Sequence, residues 1–450
     1  MENLKKNLSS FFDSYYYPCL VALTVFICHT FSFEFVGILL LFASAAVAVM
    51  VCDDLRVIIS PILFVTYIVS YKSFLDGSLG STTFLVVVIA SLCLFFVSTF
   101  AHFFINKKLE RIKELPKSRL FWGIIAISVA FLLNGFFNFS NYTAINAYFA
   151  LLLVFFLAFM FFLFYAGSNA RKDTLEYLLF VFYVASILLM CELGILYARD
   201  ASFVDGKIIK ESLILGWGVW NNVGGMLTIF LPVHFYYAST KKHGYIFYGT
   251  AILTYAFIAL TLSRSSLLFA SIISLACVTI ICIKGKNIKI NRIITLCVAG
   301  VGIVGIILLW DKISVLLSSY LNQGFGDNGR FDLYKHGIEN FLSHPIFGGG
   351  FNSCAEDYFG HGIEPNRYHN TFIELIATCG IVGIGAYIFH RYQTIKLFIE
   401  KRTDYTIWFS SLCVLALLLT SLLDNHIFNL YPTMYYAFTL CAIEKHKIDN

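Results

Sequence analysis

Residues 146–166 read Asn146-Ala147-Tyr148-Phe149-Ala150-Leu151-Leu152-Leu153-Val154-Phe155-Phe156-Leu157-Ala158-Phe159-Met160-Phe161-Phe162-Leu163-Phe164-Tyr165-Ala166, twenty-one positions without a charge. A helix rises about 1.5 Å per residue, so this run is long enough to cross the ~30 Å apolar core of a bilayer. It lacks the strict apolar/polar alternation of a barrel strand, and backbone groups in lipid must be paired within the segment, so it reads as a transmembrane helix.

The same reading extends along the chain. Mostly apolar runs place spans near 15–33, 35–52, 56–72, 83–105, 119–137, 143–166, 175–198, 221–239, 244–261, 265–283, 291–310, 371–391, 405–422 and 429–443. Of 450 residues, 59% are hydrophobic and 13% charged, with a mean hydropathy of +0.78. Such a chain has too little polar surface to cover a water-soluble globule. The expected fold is therefore all-α: a polytopic transmembrane bundle of about 12–14 spans, a single integral membrane domain over 1–450. The first run follows Lys5 and Lys6 but shows no small-residue cleavage site, so it reads as a retained helix.

Basic residues flanking spans stay on the cytoplasmic side. Alternate breaks collect twenty-three of the 32 Lys and Arg residues, from Lys5 and Lys6 to Lys445 and Lys447. The remaining nine, Lys72, Arg199, Lys207, Lys210, Arg264, Lys312, Arg330, Lys335 and Arg367, fall in the intervening breaks. Both termini are expected in the cytoplasm. The net charge of +5 is then an insertion signal spread over loops, with no basic domain for nucleic acid. Eleven of the twelve cysteines lie in apolar spans and only Cys354 in a large loop, which argues against an extracellular disulfide framework.

The longest break, 311–370, is expected outside the cytoplasm, and long loops usually carry function. Within it, Asp327-Asn328-Gly329-Arg330 leads into Phe331, Tyr334, Ile338, Phe341 and Leu342 at helical spacing, ending at Ser343-His344-Pro345. This is a short amphipathic helix at the membrane surface. Arg330 lies in its first turn, where unpaired N–H groups also favour an anion; anchoring to lipid headgroups is the plainer reading. Arg264 stands in the tight turn Thr261-Leu262-Ser263-Arg264-Ser265-Ser266. An arginine at the bilayer centre costs about 2.5–3.5 kcal/mol, so this one either snorkels to water or faces a polar cavity.

Arg367-Tyr368-His369-Asn370-Thr371-Phe372-Ile373-Glu374 closes the loop. Thr371 and Glu374 have capping-box spacing, which sets His369 just ahead of a helix N-terminus. An interfacial histidine is often only a polar surface residue. Near pH 7, however, a neutral imidazole suits removal of a hydroxyl proton, and Arg367 two residues away would keep its pKa from rising. Gly348-Gly349-Gly350 lacks a P-loop lysine and reads better as a flexible turn. His336, His344, His361 and His369 lack metal-ligand spacing, so no metal or other cofactor is expected. Asn221-Asn222-Val223-Gly224-Gly225 opens a span and either hydrogen-bonds a ligand or caps a helix.

Taken in order, these segments resemble the O-antigen ligase and O-antigen polymerase superfamily of bacterial envelope glycan enzymes, membrane glycosyltransferases of the GT-C type. The resemblance rests on 221–225, Leu262 to Ser265, Gly329-Arg330 with Tyr334 and Gly337, His344 to Gly350, and His369-Asn370-Thr371-Phe372 with Gly380. It covers residues 215–390 as a family-like catalytic region; 15–200 are divergent N-terminal spans and 371–443 C-terminal spans.

The resemblance implies metal-independent transfer of a glycan from undecaprenyl pyrophosphate to an acceptor hydroxyl at the outer face of the bacterial inner membrane. Arg264 and Arg330 match the family's diphosphate-binding arginines and His369 its catalytic histidine; Arg367, Asn222 and Tyr334 are candidates for support. Ser265-Ser266 departs from the small apolar residues or glycine common there. Implied partners are the lipid-linked oligosaccharide, an acceptor that is either another lipid-linked repeat or lipid A core, the bilayer, and a chain-length regulator protein. Polymerase is slightly favoured over ligase. The rival class is a multi-span transporter or lipid-linked oligosaccharide flippase, but no internal repeat is visible and the suspect groups gather at one face.

Overall fold

A computed structural model describes residues 2–69, 81–138, 144–171, 173–199, 203–204, 207–208, 212–308, 310–311, 314, 329–351, 353–354 and 367–448. Asp327, Asn328, Lys72, Lys210, Lys312, His361 and nearly half of the 311–370 loop lie outside these residues.

The chain is a helical bundle with almost no strand. Its first helices are α1 (Glu2–Phe12), α2 (Tyr16–Thr30), α3 (Glu34–Val51), α4 (Ile59–Ile68), α5 (Thr82–Ile105) and α6 (Phe121–Leu132). Helix α7 (Ala144–Val154) runs through a π turn, Phe155–Phe159, into α8 (Met160–Gly167), and α9 (Asp173–Arg199) follows. Then come α10 (Trp220–Thr240), α11 (Gly244–Leu260), α12 (Arg264–Ile283), α13 (Ile288–Leu308), α14 (Arg330–Ser343), α15 (Thr371–Lys401), α16 (Tyr405–Asp424) and α17 (Leu430–Lys445). The strands are two-residue pairs, among them Ile214–Leu215 with Gly218–Val219 ahead of α10.

Each expected span coincides with a helix, but among the described residues only eight helices are both long and apolar enough to cross a membrane, ten if two bent pairs each count once. The shortfall has physical causes. Leu55–Ile68 reaches only about 21 Å as a helix. Helices α10 and α17 are buried along almost their whole length, α10 packed among α9, α11, α12 and α16. A helix surrounded by protein need not present apolar side chains to lipid, and α10 accordingly carries Asn221, Asn222, Thr228, His234 and Ser239.

Helix α15 runs ten residues past the expected end at 391 and breaks at Gly380, whose φ of 63° is left-handed. The segment after α14 lies in the break. Ile381 and Val382 donate N–H bonds to the carbonyls of Pro345 and Ile346, while Gly349 and Gly350 donate to Ala377 and Thr378. A β-carbon on Gly380 would sit 2.4 Å from the Ile346 oxygen. Gly348-Gly349-Gly350 is thus neither a phosphate loop nor a flexible turn: it pairs the backbone groups that the broken helix frees.

The N-terminal spans are tied in by buried polar contacts. Arg56 pairs with Asp13 at 2.7 Å and Asp173 at 2.8 Å. His29 and Tyr67 both meet Glu192, at 2.6 and 2.9 Å. Tyr67 packs edge-on against Trp217, whose carbonyl accepts a bond from Tyr431 at the start of α17.

Candidate functional site

The ends of five segments meet around Asp424, the last residue of α16 and its only acid. Arg330 Nη2 lies 3.1 Å from its Oδ1, Ser265 Oγ donates to Oδ2 at 2.7 Å, and Asn221 Nδ2 reaches Oδ1 at 3.3 Å. One buried carboxylate therefore joins the first turns of α10, α12 and α14.

Local sequence explains each approach. Ser263 caps α12 by accepting from the Ser266 N–H, which makes Arg264 the helix's first residue, beside the Ser265 that binds Asp424. Leu262 takes the left-handed conformation needed to turn out of α11. Gly224 lets α10 approach that turn, since a β-carbon there would lie 2.8 Å from both Ser266 Oγ and Thr261 Oγ1. Ser265 and Ser266 therefore form part of the site's framework.

Arg330 opens α14 after Gly329, whose φ is 77°. The face that α14 buries is Leu333 and Gly337, packed against Ile373, Ala377 and Tyr368, while Phe331, Ile338 and Leu342 are exposed. The apolar stripe expected from spacing is thus largely directed away from the protein, as suits a helix touching lipid.

His369 stands one residue before the N-cap of α15. That cap is Asn370, whose Oδ1 accepts from the N–H groups of Phe372 and Ile373. The expected Thr371–Glu374 capping box does not form. Thr371 instead donates to the Ser421 carbonyl, and buried Glu374 accepts from the Tyr368 N–H and Asn425 Nδ2. His369 has φ of 50° and Asn425 of 51°. With Leu262, three of the six non-glycine residues of positive φ among the described residues border this site, where such strain is held by its surroundings.

Burial and the neighbouring Arg330 and Arg367 cations push the His369 pKa below the usual imidazole value, against the opposing pull of Asp424. The ring is therefore neutral near pH 7, and its Nδ1 has no hydrogen-bond partner among the described residues. Tyr334 donates to the His369 carbonyl at 3.4 Å. Arg367 donates to the Phe428 carbonyl at 3.1 Å and lies 5.4 Å from the Phe149 ring centre.

Of the residues read from sequence, Arg330, His369, Arg367 and Tyr334 are thus assembled at one end of the bundle, and Arg264 enters through its neighbour Ser265. Asn222 packs against Gly218 in the turn before α10, a place that fits a structural role. Asp424 and His426 escaped the sequence reading. His426 is fully buried, its pKa lowered by that burial, and neither ring nitrogen has a partner among the described residues. The polar triplet Asp424-Asn425-His426 between two apolar runs was the available signal. Among the described residues no three His, Cys, Asp or Glu side chains are grouped to hold a metal.

Fold and site define a polytopic membrane protein with arginines, a carboxylate and a neutral imidazole gathered at one end of its helices. Residues 249–388 match the family model described as O-Antigen ligase, which supports placement in the O-antigen ligase and polymerase superfamily and a glycosyltransferase-like enzyme. The match includes Arg264, Arg330, Arg367 and His369 and stops before Asp424. No curated protein matches the chain.

Proposed function

We propose that this protein transfers a glycan from undecaprenyl pyrophosphate to an acceptor hydroxyl, working as an envelope polysaccharide polymerase or O-antigen ligase, with a slight preference for polymerase. The observation that carries the reading is the convergence of Arg330, Asp424 and His369, which are remote in sequence, beside the helix end that bears Arg264. His369 orients the acceptor hydroxyl and takes its proton as the oxygen bonds to the anomeric carbon. The bond from that carbon to the pyrophosphate breaks, and the departing charge is stabilised by Arg264 and Arg330. Asp424 holds Arg330 in place. The site end of the bundle then faces away from the cytoplasm in the inner membrane, both termini are cytoplasmic, and no metal enters the reaction.

The test is to incubate purified protein with pyrophosphate-linked repeat units, with and without lipid A core, and resolve the products on a gel. Ladders formed without core define a polymerase, and product formed only with core defines a ligase. Activity that persists in chelator is expected. Full activity in both His369→Ala and Arg330→Ala would remove the proposed site.

A further inference from the structure

The segments 367–371 and 421–428 are laced together in antiparallel order. Thr371 donates to the Ser421 carbonyl at 2.7 Å, Asn370 to that of Leu422 at 3.1 Å, and Arg367 to that of Phe428 at 3.1 Å. Between these contacts, Glu374 Oε2 accepts from both the Tyr368 N–H at 2.9 Å and Asn425 Nδ2 at 2.8 Å. The residue just before His369 and the residue just before His426 are therefore fixed to one oxygen atom.

His426 is the one residue of this seam that could carry a proton and has no task in the proposed transfer. Its ring is fully buried and seated on Gly225 of α10, where a β-carbon would fall 2.3 Å from Nε2. Gly225 lies one helical turn after Asn221, whose side chain reaches Asp424, so one face of α10 holds both ends of the 424–426 turn. Neither His426 nitrogen has a hydrogen-bond partner among the described residues, and the same is true of His369 Nδ1, which is also sealed from solvent. Buried polar groups left unmet are costly and call for a cause. Two imidazoles in that state at one seam supply it for each other.

We infer that His426 is the proton partner of His369, the two imidazoles sharing the proton removed from the acceptor hydroxyl. The inference rests on the proposed activity and adds a residue to it. The acceptor O–H bond breaks as its oxygen bonds to the anomeric carbon and the bond from that carbon to the pyrophosphate breaks. His369 takes the proton on Nε2, while the proton on its Nδ1 passes to His426. The departing pyrophosphate then takes the Nε2 proton, and the proton on His426 returns to His369 Nδ1, so both rings end neutral. An imidazolium confined to His369 would stand beside the Arg330 and Arg367 cations. Sharing spreads its charge over two rings that both feel Asp424. The remaining charges at the seam are buried Glu374 and, at the start of α12, Arg264. His426 acts through His369 and needs no contact with substrate, which suits its complete burial.

The turnover test is His426→Gln, which hydrogen-bonds but takes no proton. Its kcat should fall about 10- to 100-fold with KM nearly unchanged. The dependence of kcat on the fraction of heavy water should be curved in wild type, where two protons move together, and linear in the variant. Full kcat, a linear dependence in wild type, or a lost kcat with the curvature intact overturns the inference, the last because a packing defect slows the reaction without changing how many protons move. A second arm needs no turnover and keeps His426. Asn425-His426 is the only Asn-His pair in the chain, so joint isotopic labelling of asparagine and histidine assigns its signal by NMR in the full-length protein. The His426 titration midpoint should rise in His369→Gln, which removes a neighbouring positive charge, and fall in Asp424→Asn, which removes a negative one. Those shifts support the pair even if no glycan is transferred and the proposed activity fails. A midpoint that neither variant moves, or a His426 that never protonates while the protein stays folded, overturns it.

Discussion

Arg330 and Asp424 are 94 positions apart in sequence, yet their side chains meet at 3.1 Å, and Ser265 and Asn221 bind the same carboxylate. Removing the carboxylate strips three donors of their acceptor at once. Hydrogen bonds to a charged group are each worth about 1.5–3 kcal/mol, so Asp424→Ala should lower kcat/KM by about 10- to 100-fold or more. Asp424→Asn, which keeps one carbonyl oxygen, should lose less. Equal losses in the two variants would mean that the carboxylate does not act through these bonds.

The acid limb of the pH profile should report His369. Its pKa is depressed, so the ring remains a base as pH falls through the ordinary histidine range, and kcat/KM should begin to drop only below about 6.5. Asp424 pulls this pKa upward, so in Asp424→Asn the limb should move to lower pH. Arg330 pushes it down, so in Arg330→Gln the limb of the residual activity should move to higher pH. Shifts of the opposite sign would remove His369 as the titrating base.

The two candidate diphosphate arginines should behave alike. Arg264→Gln and Arg330→Gln should each reduce kcat by about 10²–10³, the usual cost of losing one stabiliser of developing charge, without changing expression or oligomeric profile. A variant that changes only KM would have removed ground-state binding alone.

Gly225 tests the placement of His426. A β-carbon at Gly225 would fall 2.3 Å from His426 Nε2. Gly225→Ala should therefore cost about 1–3 kcal/mol by overpacking, seen as a lower Tm in detergent, and His426→Ala in the same chain should recover most of it. Additive losses would place the two residues out of contact.

Gly380→Ala should lower Tm by a similar energy, because it combines a clash with Ile346 and left-handed φ for a residue with a β-carbon. Gly385→Ala, five residues along the same helix with open space around it, should be neutral or stabilising.

Sequence exposed the helices because lipid demands long apolar runs, and it offered Arg264, Arg330 and His369 as candidates because their motifs are local. It failed where tertiary structure decides. Asp424 carries no motif: its meaning comes from three partners on three other helices. Glu374 matched a capping spacing, but its carboxylate went to Tyr368 and Asn425 because Asn370 had already capped the helix. The outward stripe on α14 fits the expected place at the membrane surface, but spacing alone did not reveal that Leu333 and Gly337 form the face packed on protein. Short α4, ten residues of helix where a span was expected, shows a related limit: hydropathy measures a segment, while its partners decide how much of the bilayer it must cross.

The clasp between 345–350 and the Gly380 break consists entirely of main-chain bonds, and it fastens the strip of chain downstream of Arg330 to the helix that begins beside His369. The spacing between Arg330 and His369 is thereby set by main-chain groups and not by side chains. Loop side chains around the site are free to diverge while the distance between Arg330 and His369 stays fixed.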